Sequence, residues 1–231
     1  MCQYLGNPQD IILHLDLAPE RQQKGAFKIT VFGTANQPVF QGRTDSFEVC
    51  TKQSYYEKKR AIWDIQEKKE VEISQSIPHD RCHQLQNLSM EIACLAWARV
   101  LLDLIYHFVE KEITHRGKPP FSIPEMQFVG AALAIEETPS APGKDGQVFL
   151  LEEVIGRDEG PFRKYLNNVS PVPLPFSNAK DQERAAFLAF SQHVQYFKTK
   201  KLVFVSDYQG MCSPKVLVAP NFTFLRESYW H

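Results

Sequence analysis

Residues 201–210 read KLVFVSDYQG. An apolar run, Leu202-Val203-Phe204-Val205, stops at Ser206-Asp207, and Gln209 and Gly210 follow at once. A buried strand that ends on a carboxylate either turns at the surface or delivers Asp207 and Gln209 to a site. A carboxylate at the C-terminal end of a strand can accept a proton from a hydroxyl nucleophile or hold a metal ion. Gln209 adds a neutral oxygen that suits a hard cation such as Mg²⁺. Gly210 permits positive φ or a close backbone approach. Asp-x-x-Gly is also an ordinary surface turn, so the surrounding chain must decide between the two readings.

Upstream, Asn178 and Asp181 open a helix over about 179–198, an N-cap with an acid at the third helical position, close in role to a capping box. That helix places Ala186, Phe187, Phe190, Val194 and Phe197 on one face. Before it, VSPVPLPFS holds three prolines in nine residues and reads as an extended connector. The polar stretch GRDEGPFRKYLNN precedes that connector. Two strands are expected over 127–136 and 147–155, with a Pro/Gly-rich loop from Thr138 to Gly146 between them. A long helix runs from roughly 83 to 113 and ends at Gly117-Lys118-Pro119-Pro120. Residues 26–33 and 46–52 read as strands, and the charged run 56–72 as a solvated excursion or helix. The fold class is therefore α+β, with a seam near 153–162.

Composition narrows the class of protein. The chain has 231 residues, 43% of them apolar and 23% charged, with a net charge of -1, so it affords a sizeable core and no basic surface for nucleic acid. The segment Ile92–Val109 has the length of a membrane span, but Arg99, Asp103 and His107 fall on one helical stripe and make it a docked amphipathic helix. Five cysteines show no CxxC and no zinc-finger spacing, and the N-terminus MCQYLGNPQD lacks a secretory pattern. Reduced thiols and a cytoplasmic protein are expected.

Three further places carry candidate chemistry. Lys52 ends the strand in VCTKQSY and points either inward, as a fixed cation for a phosphate, or outward into water; Glu91 on the long helix is a weak candidate partner. Glu152 and Glu153 follow the apolar strand FLL, where one lobe hands over to the next or where the chain simply turns at the surface. Phe162-Arg163-Lys164-Tyr165-Leu166-Asn167-Asn168 mixes cations, an aromatic and amides, which suits phosphate or ribose contacts as well as a capped turn.

The order of these pieces resembles the alpha-kinase family of atypical protein kinases, particularly the alpha-kinase-like domains of fungi. GAFK (25–28), VCTKQSYY (49–56), FLLEEVIG (149–156), FRKYLNN (162–168), AFSQHVQYF (189–197) and KLVFVSDYQG (201–210) stand in family order over nearly the whole chain. The resemblance implies a two-lobed kinase-like fold with an incomplete C-terminal lobe: an N-terminal lobe over 1–152, then a hinge and partial C-terminal lobe over 153–231. It implies Lys52 as the phosphate-gripping lysine, Glu152 as the hinge glutamate near adenine, and Lys164 and Asn168 as active-site contributors. Gly25 falls at the phosphate-side loop, Asp207 is the catalytic aspartate, and Gln209, with Asp207, belongs to the Mg²⁺ site. Lys52 and Asp207 are then expected to face a shared cavity. The implied activity is transfer of the ATP γ-phosphoryl to Ser or Thr of a protein substrate, with ATP and Mg²⁺ bound, and with neither nucleic acid nor membrane as partner.

The chain departs from the family in three respects. Ten residues after Asp207, where the family carries a second metal-binding aspartate, position 217 is Leu. The glycine-rich substrate loop is missing before His231. The family's zinc module is reduced to His193, fourteen residues before Asp207, with Cys212 alone after it, so a zinc site is not expected and His193 is read as a packed helix residue. These departures define the rival reading, a catalytically impaired pseudokinase acting as a nucleotide-binding or protein-interaction module.

Overall fold

The computed structural model describes residues 10–18, 21–40, 47–64, 69–137, 146–154, 161–168, 170–211, 217–218 and 221–224. Packing divides the chain into two compact units: residues 1–92 with 130–154, and residues 93–129 with 155–231. Helix α1 (Arg81–Arg116) contributes its first twelve residues to the first unit and the rest to the second.

The first unit is built on a sheet of seven described strands. Its main path runs β1 (Leu13–Leu15), β3 (Lys28–Ala35), β4 (Glu48–Asp64), β7 (Val148–Glu153) and β6 (Ala131–Ile135). β2 (Gln23–Lys24) pairs with β3, and β5 (Lys69–Pro78) pairs with β4. All these pairings are antiparallel. β4 is central from Val49 to Lys52, bonded to β3 on one side and to β7 on the other. Buried Leu88 of α1 meets Val148 and Leu150 of β7, with Ile92, Ala131 and Leu133 packed around them. Gly33 is required by contact: a Cβ there would lie 2.4 Å from the backbone oxygen of His14 on β1.

The stretch 56–72, expected as a solvated excursion or helix, is instead a β-ribbon. Ten residues of β4, Tyr55 to Asp64, pair in register with β5 from Pro78 back to Lys69. Dense charge hid the period-2 pattern, but Ile62 opposite Val71 is a β-branched cross-strand pair of the kind that favours a ladder, and Ile73 stands opposite Arg60 on the same face.

The second unit packs Ala98, Leu101, Leu102 and Ile105 of α1 with Tyr165, Leu166, Leu188, Val205 and Tyr208 in one core. Around it stand helix α2 (Ala179–Lys198), a two-stranded pair of β9 (Val203–Ser206) with β12 (Asn221–Phe224), and a small sheet in the order β11 (Leu217–Val218), β10 (Gln209–Met211), β8 (Phe162–Lys164). α1 ends at Gly117, whose φ of 84° and bond from its N–H to Ile113 O make the left-handed stop that the following prolines announced. By length and composition α1 could cross a membrane. One side of it is core, while Met90, Trp97, Val100, Asp103 and His107 are exposed.

α2 keeps its expected bounds and its Asn178 cap, but not its expected face. Ala186 and His193 are exposed, and Phe197 is 73% exposed; the buried side carries Ala185, Phe187, Leu188, Val194 and four polar residues, Asp181, Ser191, Gln192 and Gln195. His193 is therefore not a packed helix histidine. Counting apolar residues alone turned the helix the wrong way, because buried amides with hydrogen-bond partners occupy positions that hydropathy assigns to solvent.

The Asn178 side chain accepts from Lys180 N at 2.9 Å. Asn178→Ala is expected to lower stability by about 1 kcal/mol in urea unfolding. Gly33→Ala, which drives a Cβ into β1, should cost more, roughly 2 kcal/mol; a neutral Gly33→Ala would show that β1 does not hold this close register.

Candidate functional site

In the first unit, Lys52 on β4 and Glu152 on β7 form an ion pair, Nζ to Oε2 at 2.5 Å. The register explains the meeting. Lys52 stands opposite Leu150 and Cys50 opposite Glu152, so the pair is diagonal on one sheet face. That face is also the one that carries Val148 and Leu150, the residues on which Leu88 packs, so the pair sits beside apolar core. Glu152 is 3% exposed, and its Oε1 meets no hydrogen-bond partner among the described residues. Burial works against the Lys52 charge, but the Glu152 carboxylate, by charge and hydrogen bond, overrides it, helped by Cys50 and Glu91; the net result is a pKa above 10.5. Burial pushes the neighbouring Cys50 thiol up to about 11, against the opposing effect of Lys52.

Glu91 does not pair with Lys52. It takes Lys28, which shares the Lys52 face because Thr30 stands opposite Lys52 and Lys28 opposite Ser54. Lys28 was quoted in the sequence only as part of GAFK; strand parity carried across the β3–β4 pairing is the signal that finds it. Gly25 lies in the β2–β3 turn, its N–H donating to Lys28 O and its carbonyl accepting from the Tyr55 hydroxyl at 2.7 Å. A Cβ at Gly25 would meet Lys28 O at an ordinary 3.4 Å, so packing does not demand glycine.

In the second unit, Lys164 and Asp207 come together, Nζ to Oδ1 at 2.5 Å. β8 and β10 produce this contact: Lys164 stands opposite Gln209, and the Tyr165 and Leu166 N–H groups donate to Tyr208 O. Asp207 is 9% exposed and has a left-handed backbone, φ 57°. An L-residue there costs roughly 1–2 kcal/mol and persists only where its neighbours impose it. Gln209 is half-buried in β10, and Asn168 is exposed four residues after Lys164. Asp207 and Gln209 present hard oxygen donors, a set that fits Mg²⁺ by its chemistry. Among the described residues no three His, Cys, Asp or Glu side chains converge as a metal cluster. Cys212 lies outside the described residues. Leu217, where a second aspartate was sought, stands opposite Gly210 on β11.

Asp181, read as a capping-box acid, is turned inward. It is 1% exposed and holds Arg184 at 3.0 Å and Arg163 at 3.1 Å, next to Lys164 in sequence. The signal was available as two arginines with no acid assigned to them.

The alpha-kinase family model matches residues 40–228. The chain belongs to the alpha-kinase family of atypical protein kinases. A solved structure, the alpha-kinase domain of myosin heavy chain kinase A in complex with AMPPCP, is similar at 13% identity and a TM-score of 0.47, over 91% of this chain and 73% of that one. No curated protein matches.

Removing the cation alone from Lys52–Glu152 strands a buried carboxylate. Lys52→Met is expected to cost roughly 3 kcal/mol in urea unfolding, and adding Glu152→Leu should recover most of that loss. Because the folded Lys52 pKa is raised, the pair's contribution is complete below pH 10.5 and is lost only as pH rises through the higher folded value. Unfolding curves from pH 6 to about 11.5 check the sign; a loss on acidification within the neutral range would contradict it.

Proposed function

We propose that this chain is an ATP-dependent protein kinase that transfers the γ-phosphoryl group of Mg–ATP to serine or threonine of a protein substrate. The observation that carries the reading is the Asp207 carboxylate, held in a left-handed turn at the end of β9 with the Lys164 ammonium 2.5 Å away. Phosphoryl transfer asks for positioning and charge neutralisation more than for covalent chemistry. Asp207 orients the substrate hydroxyl and takes its proton as the oxygen bonds to the γ-phosphorus and the bond to the β-phosphate oxygen breaks, releasing ADP. Lys164 neutralises phosphoryl oxygens beside that carboxylate. Asp207 and Gln209 would hold Mg²⁺, which when bound offsets phosphate charge.

Lys52 grips phosphate oxygens in this reading, and Glu152 keeps it charged. The Glu152 Oε1 atom, buried and without a partner among the described residues, is an acceptor for a donor on the nucleotide. Gly25 and Asn168 complete the nucleotide contacts. A second reading, a nucleotide-binding or protein-interaction module without transfer, is favoured by Leu217, which leaves Asp207 without a second carboxylate at that spacing.

Phosphate incorporation from labelled ATP into a threonine-containing peptide separates the two. Asp207→Asn is expected to lower it at least 100-fold, while ATP and Mg²⁺ still raise the melting temperature as ligand occupancy requires. Lys52→Ala should abolish that rise. Equal incorporation by wild type and Asp207→Asn would remove Asp207 from the reaction; thermal stabilisation with no incorporation by wild type would establish the second reading.

A further inference from the structure

Helix α2 treats strand β9 as a neighbouring strand would. Thr199, at the C-cap of α2, brackets Val203: its hydroxyl donates to Val203 O at 2.9 Å and accepts from Val203 N at 3.2 Å. Two residues on, Gln192 Nε2 donates to Val205 O and Gln195 Oε1 accepts from Val205 N, both at 2.8 Å. Alternate residues of a strand present their backbone groups to the same edge, so these side chains act as a ladder along the edge of β9. The next position on that edge is Asp207, where regular strand geometry ends and φ becomes 57°. Gln195 reaches past it as well: its Nε2 donates to the Tyr208 hydroxyl at 3.2 Å. One amide, fully buried, thus holds the chain on both sides of Asp207.

We infer that Gln195 is a positioning residue for the Asp207 carboxylate, fixing its left-handed backbone through Val205 on one side and Tyr208 on the other, with Gln192 closing the Val205 contact. The inference rests on the reading of Asp207 as the group that receives the substrate proton. Apolar residues at 192 and 195 would match a helix face that already carries Leu188 and Val194, but would leave the buried Val205 N–H and C=O without the partners these amides give them. What amides add is a defined backbone register at the end of β9.

The test uses the full chain and three variants. Gln195→Met removes both bonds; Gln195→Glu keeps an acceptor for Val205 N; Leu188→Ala, in the same helix and fully buried, is the control for general destabilisation. Hydrogen–deuterium exchange is read first, because it does not depend on activity. Gln195→Met is expected to speed exchange in the 203–210 peptide at least 10-fold, more than Leu188→Ala does and more than elsewhere in α2; unchanged exchange there overturns the inference. Kinetics follow, below the melting temperature of every variant. A displaced carboxylate is expected to lower kcat about 10- to 100-fold with KM for ATP within about 3-fold, and Gln195→Glu should recover part of kcat. An equal fall in kcat for Leu188→Ala, or a change confined to KM, overturns it. Wild type that shows the exchange difference but transfers no phosphate defeats the kinase reading alone and leaves Gln195 as the residue that shapes this turn.

Discussion

A carboxylate withdrawn from water must find a cation or strong hydrogen-bond donors, or it will not stay charged. The structure meets that constraint at three carboxylates: Glu152 takes Lys52, Asp207 takes Lys164, and Asp181 takes two arginines. The first two pairs are made by backbone pairing, and Asp181 meets Arg184 one turn away on α2. The β4–β7 register delivers the first, and the β8–β10 register the second. The candidate chemistry follows from sheet geometry, because a shift of one residue in either ladder would send a lysine and its acid to opposite faces.

The two candidate centres differ in what surrounds them. Lys52–Glu152 borders an apolar patch and is stiff at both ends, since its strands lie inside the largest sheet. Lys164–Asp207 lies on short strands, and its acid occupies a costly backbone conformation. The chain on either side of that acid is held by hydrogen bonds from a helix, whose amides also satisfy the buried backbone groups of Val205.

Much of the framework was legible from sequence, and the reasons are local. Strands β3, β7 and β9 announced themselves by apolar runs, α1 by its length and its proline stop, and α2 by Asn178. The order of short segments, in its resemblance to the family, marked Lys52, Glu152, Lys164 and Asp207 as residues of interest, and the family match agrees with the family they indicated. What could not be read were relations between distant segments. The choice of Lys28 over Lys52 as the partner of Glu91 depends on where α1 lies over the sheet. The inward turn of Asp181 depends on Arg163, eighteen residues earlier. The rotation of α2 depends on the backbone groups of β9, which no hydropathy scale counts. The ribbon of β4 and β5 was missed because its solvent-facing charges mask its alternation.

The seating of β7 beside β4 also has a bearing on synthesis. Among the described residues, the β7-side edge of β4 from Val49 to Lys52 pairs with residues 150–153. A nascent chain therefore carries that edge uncovered from the synthesis of Lys52 until its partner Leu150, 98 residues later, has been made. Through that interval it can template wrong partners, other ribosomes' products included. The same strand continues with Lys58, Lys59 and Arg60 in succession, charges of the kind that oppose edge-to-edge pairing.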